Sequence, residues 1–173
     1  MYLTKFAIVS WLIITNIGHT VIKHDQAKIS ASTPAKLFAK SEADKILGSP
    51  AHLTDSLSKR DASQSSYLCG YKADNKDQKT GKIGAVYFLF ETYNNIDGAK
   101  KRFSDVYISN RAHGLELINH LGNEAFYHTD NENFDLIMVR KGKYVFNIKI
   151  NTRTSTSSLG ELKKVVKKIT GQI

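Results

Sequence analysis

Cys69 is the only cysteine in this chain, so no disulfide can form within it and the fold must rest on its core. Set in Ser66-Tyr-Leu-Cys-Gly-Tyr71, it is either a small buried hydrophobe or one half of an intermolecular bridge. No cysteine-hydrolase signature surrounds it. Other catalytic signatures are missing too: there is no G-x-S-x-G elbow, no H-E-x-x-H, no phosphate-binding glycine loop and no C-x-x-C. No catalytic residue, metal ligand or cofactor is assigned. The chain also lacks the run of about 20 apolar residues that a membrane-spanning helix needs. Acidic residues are in deficit, 16 against 25 lysines and arginines, which gives a net charge of +9. That excess favours contact with anionic envelope polymers or lipid head groups, or it simply keeps the protein soluble. With no recognition motif for nucleic acid, none is expected as a partner.

The amino terminus has the layout of a secretory signal peptide. Lys5 is the only charge before an apolar run at 6–14, and the more polar Thr15-Asn-Ile-Gly-His-Thr20 follows. Residues 1–20 are therefore expected to act as a leader for export to the periplasm or beyond. Gly18 and Thr20 are small enough to precede a cleavage site, and a retained anchor is the alternative. Losing Lys5 with the leader would lower the charge by one, to about +8. Residues 21–33 are polar and unpatterned, a linker. Residues 34–173 are expected to form one α+β domain, since 41% hydrophobic and 24% charged residues are the proportions of a globular chain rather than a disordered one.

The clearest element is a β-hairpin at 134–151. Tyr144, Phe146, Ile148 and Ile150 fall on one face of its second arm, and Asn147, Lys149 and Asn151 on the other. Its first arm is apolar on both faces and belongs inside a sheet. Between the arms, Lys141-Gly142-Lys143 supplies the turn. Further strands are expected at 66–74, 83–93 and 124–129, with loops at 52–65 and 75–82. Leu115, Leu117 and Leu121 leave 112–123 open between a short strand and a loop.

Three helices complete the pattern. A short one is started by Ser41-Glu-Ala-Asp44 and stopped by Gly48 and Pro50. A longer one is capped by Asn95, with a stripe of Ile96, Ala99, Phe103 and Val106; Lys100, Lys101 and Arg102 lie off that stripe. The last is capped by Ser158 with Glu161 and buries Leu159, Leu162, Val165, Val166 and Ile169. The expected order is α-β-β-α-β-β-β-α, a largely antiparallel sheet of about five strands packed against helices.

Two constellations bear on chemistry. His113, His120 and His128 precede Asp130 and Glu132, but their spacing fits neither one helical face nor one strand. Aromatic residues are concentrated on the expected strands. Tyr71, Tyr87, Tyr127 and Tyr144 are the candidate ligand-binding residues, as rim hydroxyls of an apolar pocket between sheet and helices. Core packing explains the same residues.

The motifs Asp44-Lys-Ile-Leu-Gly48-Ser-Pro50, Cys69-Gly-Tyr71, Ala99-Lys-Lys-Arg-Phe103, Leu121-Gly-Asn-Glu-Ala-Phe126 and Leu136-Ile-Met-Val-Arg-Lys-Gly142 occur here in that order. In this the chain resembles a group of small exported bacterial proteins of unknown function, many of them lipoproteins. The resemblance implies an α+β fold similar to PsbP-like domains and an extracytoplasmic location. Proteins of that group with the cysteine often carry a second one, which this chain lacks.

The expected function is that of a secreted or periplasmic non-enzymatic binding domain. It would recognise a protein or an anionic envelope component, with peripheral membrane association as a further mode of contact. The alternative is a carrier of small apolar ligands. An enzyme with an unrecognised site and an immunity-type inhibitor are the remaining readings.

Overall fold

The computed structural model describes residues 34–173. The leader and linker assigned to 1–20 and 21–33 lie outside the described residues. Two short helices come first, α1 (Pro34–Leu37) and α2 (Lys40–Leu47). Then come β1 (Ala51–Arg60), β2 (Gln64–Ala73), β3 (Ala85–Tyr93), α3 (Ile96–Asn110) and a 3-10 turn at Arg111–His113. The second half holds β4 (Glu116–Leu117), β5 (Glu124–Thr129), β6 (Asp135–Lys141), β7 (Tyr144–Thr152) and α4 (Leu159–Gln172). All strands join one antiparallel sheet in the order β1-β2-β3-β7-β6-β5-β4. Among the described residues, no helix is long and apolar enough to cross a membrane.

The α+β class and the antiparallel sheet match the sequence; the strand count does not. Seven strands replace the expected five, and the expected element order is corrected accordingly. Residues 52–65, expected as a loop, form most of β1 and the turn into β2. Nine of the ten residues of β1 are exposed, so no apolar alternation marks it. Backbone pairing with β2 makes it a strand, and nearly all of its side chains stay exposed. The other addition is β4, two exposed residues on the opposite edge.

Capping follows the sequence at two helices and departs from it at one. Ser158 Oγ accepts from the Glu161 N–H at 3.2 Å, and Asn95 Oδ1 from the Gly98 N–H at 2.8 Å. In α2 the cap position is Ala39 rather than Ser41, and the Ala39 N–H donates to Glu42 Oε2 at 3.1 Å. The far end of α2 is closed by the chain entering α4. Thr156 Oγ1 donates to the Leu47 carbonyl at 2.7 Å and the Ser158 N–H to the Ile46 carbonyl at 2.8 Å, satisfying carbonyls that the helix leaves open.

Residues opposed across an antiparallel pair share a face, so the register sorts every side chain. One face carries Cys69, Phe88, Phe146, Ile148 and Ile137, and α1, α2 and α4 cover it to form the main core. The other face carries Phe126, Met138 and Val145, which form a smaller core with Ala99 and Phe103 of α3, flanked by Val106 and Tyr107 of the same helix. Ile96, expected in the stripe of α3, is 51% exposed instead. The chain order repeats a three-stranded meander and a helix, with β3 and β7 meeting at the centre. Yet α3 and α4 lie on opposite faces, and a rotation that exchanges antiparallel neighbours would keep them on one. The two halves are not symmetry copies.

Acid lability follows from carboxylates held in ordered contacts. Glu42 is 6% exposed and meets Lys168 Nζ at 2.8 Å. Burial alone would raise its pKa, but hydrogen bonds from Lys168, Ser41 and Ala39 outweigh it and bring the pKa below the ordinary 4.5. Ser155 and Thr80 donate to Asp77 and hold it at about 2, and Asn133, Phe134 and Glu132 hold Asp130 well below the carboxylate range against its own partial burial. All three bind protons more weakly when folded than when unfolded. Their contribution is therefore present above the unfolded values and lost as pH falls through the folded ones. Urea midpoints are expected to dip as pH falls through the 6.5 of an ordinary histidine, because burial lowers the folded pKa of His128, and to fall further below the 4.5 of an ordinary glutamate. In Lys168→Met the strongest offset to the burial of Glu42 is gone, so its folded pKa rises toward or above the unfolded value. The variant should be less stable at neutral pH, and its fall below pH 4.5 should be shallower. An equally steep fall in that variant would show that the pair is not the cause.

Candidate functional site

The sheet face that α3 covers only in part contains a groove, and the register builds its floor. Gly70, Tyr87, Lys149, Leu136 and His128 oppose one another in one row across β2, β3, β7, β6 and β5. The adjacent row is Leu68, Leu89, Asn147 and Met138. Arg102, Val106 and Asn110 of α3 form one wall, while Phe134 and Asn151 close the opposite rim. The space measures about 620 Å³. Gly70 belongs to the design, because a Cβ there would sit 2.6 Å from Tyr87 Cε1. The ring of Tyr87 lies across the bare backbone of β2.

Three groups in the groove can carry positive charge, and their surroundings differ. The Nε of Arg102 pairs with Glu91 Oε2 at 3.1 Å, and Glu91 is 6% exposed. His128 stands edge-on to Phe134 at 5.0 Å, and burial holds its pKa below the ordinary value. The Nζ of Lys149 lies 4.7 Å over the Phe134 ring. Burial also lowers the pKa of Lys149, partly offset by the charge of Asp130 in the β5–β6 turn. Among the described residues, no carboxylate forms an ion pair with Lys149. An ammonium taken partly out of water without an ion-paired carboxylate is a ready partner for an anion.

The four tyrosines singled out in the sequence do not converge. Tyr87 is in the groove. Tyr71 opposes Val86, whereas its neighbour Gly70 opposes Tyr87, which puts Tyr71 on the other face, where it is 8% exposed and edge-on to Phe38 at 5.9 Å. Tyr144 is on that face too, against Phe90 at 5.7 Å. Tyr127 donates its hydroxyl to Asp135 Oδ1 at 2.5 Å, and Asp135, 1% exposed, is paired with Arg153 at 3.2 Å. Three of the four are thus part of the main core, and the sheet separates them from Tyr87.

Cys69 is fully buried, and burial pushes its thiol up to about 11, far from a reactive thiolate at neutral pH. Among the described residues, no three His, Cys, Asp or Glu side chains are placed to hold a metal. His113 and His128 are neighbours without a third ligand.

Sequence reasoning missed Lys149, His128 and Phe134 as members of one site. The alternation on β7 assigned Asn147, Lys149 and Asn151 to solvent, yet the strands flanking β7 offer Tyr87, Leu89, Leu136 and Met138 to that same face. A polar strand between apolar neighbours was the available signal, and it appears only once the strand order is known. The chain matches no protein-family model, no curated protein and no solved structure.

Proposed function

We propose that this chain is an exported, non-enzymatic binding domain whose groove takes an amphipathic anion, an apolar chain or ring ending in a carboxylate or phosphate. Anionic lipid components of the cell envelope have this chemistry. One observation carries the reading: Lys149 stands half-buried and without a carboxylate partner amid Tyr87, Leu89, Leu136 and Phe134. The apolar floor would receive the tail, and the ammonium the head. Asn147 and Asn151 flank it with amide donors, and Asn110 does so from the wall. The net charge of +9 favours encounter with an anionic surface.

Dodecanoate and dodecanol, which share a tail and differ in charge, test the reading by calorimetric titration. Dodecanoate should bind the tighter by about 10- to 100-fold, the worth of a charge-assisted hydrogen bond. Lys149→Met should bring dodecanoate down to the alcohol's affinity and leave the alcohol unchanged. Equal binding of the two in the wild-type protein, or no binding of either, would overturn the assignment.

A further inference from the structure

We infer that β1 is a docking edge for a second copy of this chain, joined strand to strand about a two-fold axis through Leu57. The inference is independent of what the groove holds. The strand is ten residues long, pairs only with β2, and has nine of its residues exposed. α2 reaches only the start of the strand, where the Ala51 N–H donates to Asp44 Oδ1 at 2.8 Å, and no proline interrupts it, although a long bare edge is what folded proteins normally blunt. Its only irregularity is the register shift between Leu53 and Asp55, at one end. The Asp61 N–H donates to the Gln64 carbonyl at the turn into β2. Counting back by the antiparallel alternation, Ser56, Ser58 and Arg60 direct their N–H and C=O groups away from β2. These are the groups that a further strand would bond.

The sequence of β1 selects the partner. A two-fold axis perpendicular to the sheet keeps each side chain on its own face, so an antiparallel self-pairing must centre on a residue. Centred on Leu57, the register sets Leu57 against Leu57 of the second copy. It also sets Asp55 against Lys59, twice, once on each side of the axis. Among the described residues, neither Asp55 nor Lys59 has an ion-pair partner within its own chain. Centring on Ser58 would oppose Asp55 to Asp61, and centring on Ser56 would oppose Asp55 to Leu57. Only the Leu57 register satisfies both charges.

The same register accounts for an exposed leucine. Leu57, 48% exposed, heads the row formed with Leu68 and Leu89 on the groove face. Pairing at Leu57 would run that apolar row without a break into its copy. The two grooves would then open on the same side of one doubled sheet.

The test is sedimentation equilibrium on protein purified after expression of the full chain, over concentrations up to about 1 mM. A concentration-dependent dimer is expected, with the amides of Ser56, Ser58 and Arg60 gaining protection from hydrogen exchange as it forms. Lys59→Asp places like charges in opposition and should weaken the dimer at least about tenfold. Combining Asp55→Lys with Lys59→Asp restores both pairs in this register alone and should recover the affinity. Ser58→Pro removes an outward N–H without touching the β2 ladder and should abolish association. A monomer at every concentration, a dimer indifferent to Lys59→Asp, or no recovery in the double variant would each overturn the inference.

Discussion

Phe88→Ala is expected to lower the unfolding free energy by about 3–5 kcal/mol, the range for deleting a large aromatic ring from a packed core. Phe88 is fully buried on β3, next to the centre of the sheet. Its ring lies 5.2 Å from Phe38, 6.1 Å from Phe90, 6.3 Å from Phe146 and 6.4 Å from Tyr67. It thus ties the entry to α2 to both central strands and to β2. Phe38 comes from the linker between α1 and α2, while Phe90 and Phe146 are held in the sheet, so the site cannot collapse evenly around the void. At about 2–4 °C per kcal/mol for a domain of this size, the melting temperature should fall by about 10–15 °C. Urea titration with an unchanged slope would locate the effect in the folded state. A loss below about 1 kcal/mol would show that the ring is not the hub the geometry describes.

Gly48→Ala should be nearly as damaging, for two reasons that a pair of variants separates. Gly48 follows α2 with φ +66°, a conformation that an ordinary side chain adopts at about 1–2 kcal/mol. A Cβ there would also lie 2.3 Å from the backbone carbonyl oxygen of Thr156, which cannot rotate out of the way. Moving the chain at Thr156 would disturb the two hydrogen bonds that close α2, from Thr156 to Leu47 and from Ser158 to Ile46. Overpacking of this kind adds about 1–3 kcal/mol, for a total of about 2–5. Gly48→Asn relieves the conformational part, since asparagine tolerates positive φ, but keeps the steric part. Both variants should therefore be destabilised, alanine the more. If asparagine is neutral by urea titration, the contact with Thr156 is not limiting and only the backbone conformation matters.

Gly48 also shows how much of this protein was legible in its sequence. The glycine between Leu47 and Pro50 announces the end of a helix, and a helix ends there. Nothing local announces that a loop more than a hundred residues later is packed against it. The same division runs through the sheet. The apolar runs of β3 and β6 mark interior strands, and both are interior. β1 has no such mark, because its strand character comes from the backbone of β2 and its side chains stay in water.

The sequence by itself determined the α+β class, the 134–151 hairpin, the antiparallel pairing and the caps of α3 and α4. Each of these follows from residue periodicity or from side chains bonding a backbone a few residues away. The tertiary structure decided which strands adjoin and which face each tyrosine occupies. It put Tyr87 beside Lys149 and sent Tyr71, Tyr127 and Tyr144 to the opposite face. The groove and the bare β1 edge exist only at that level. A strand's own alternation says which residues share a face, but only pairing between strands far apart in the chain says what that face will meet.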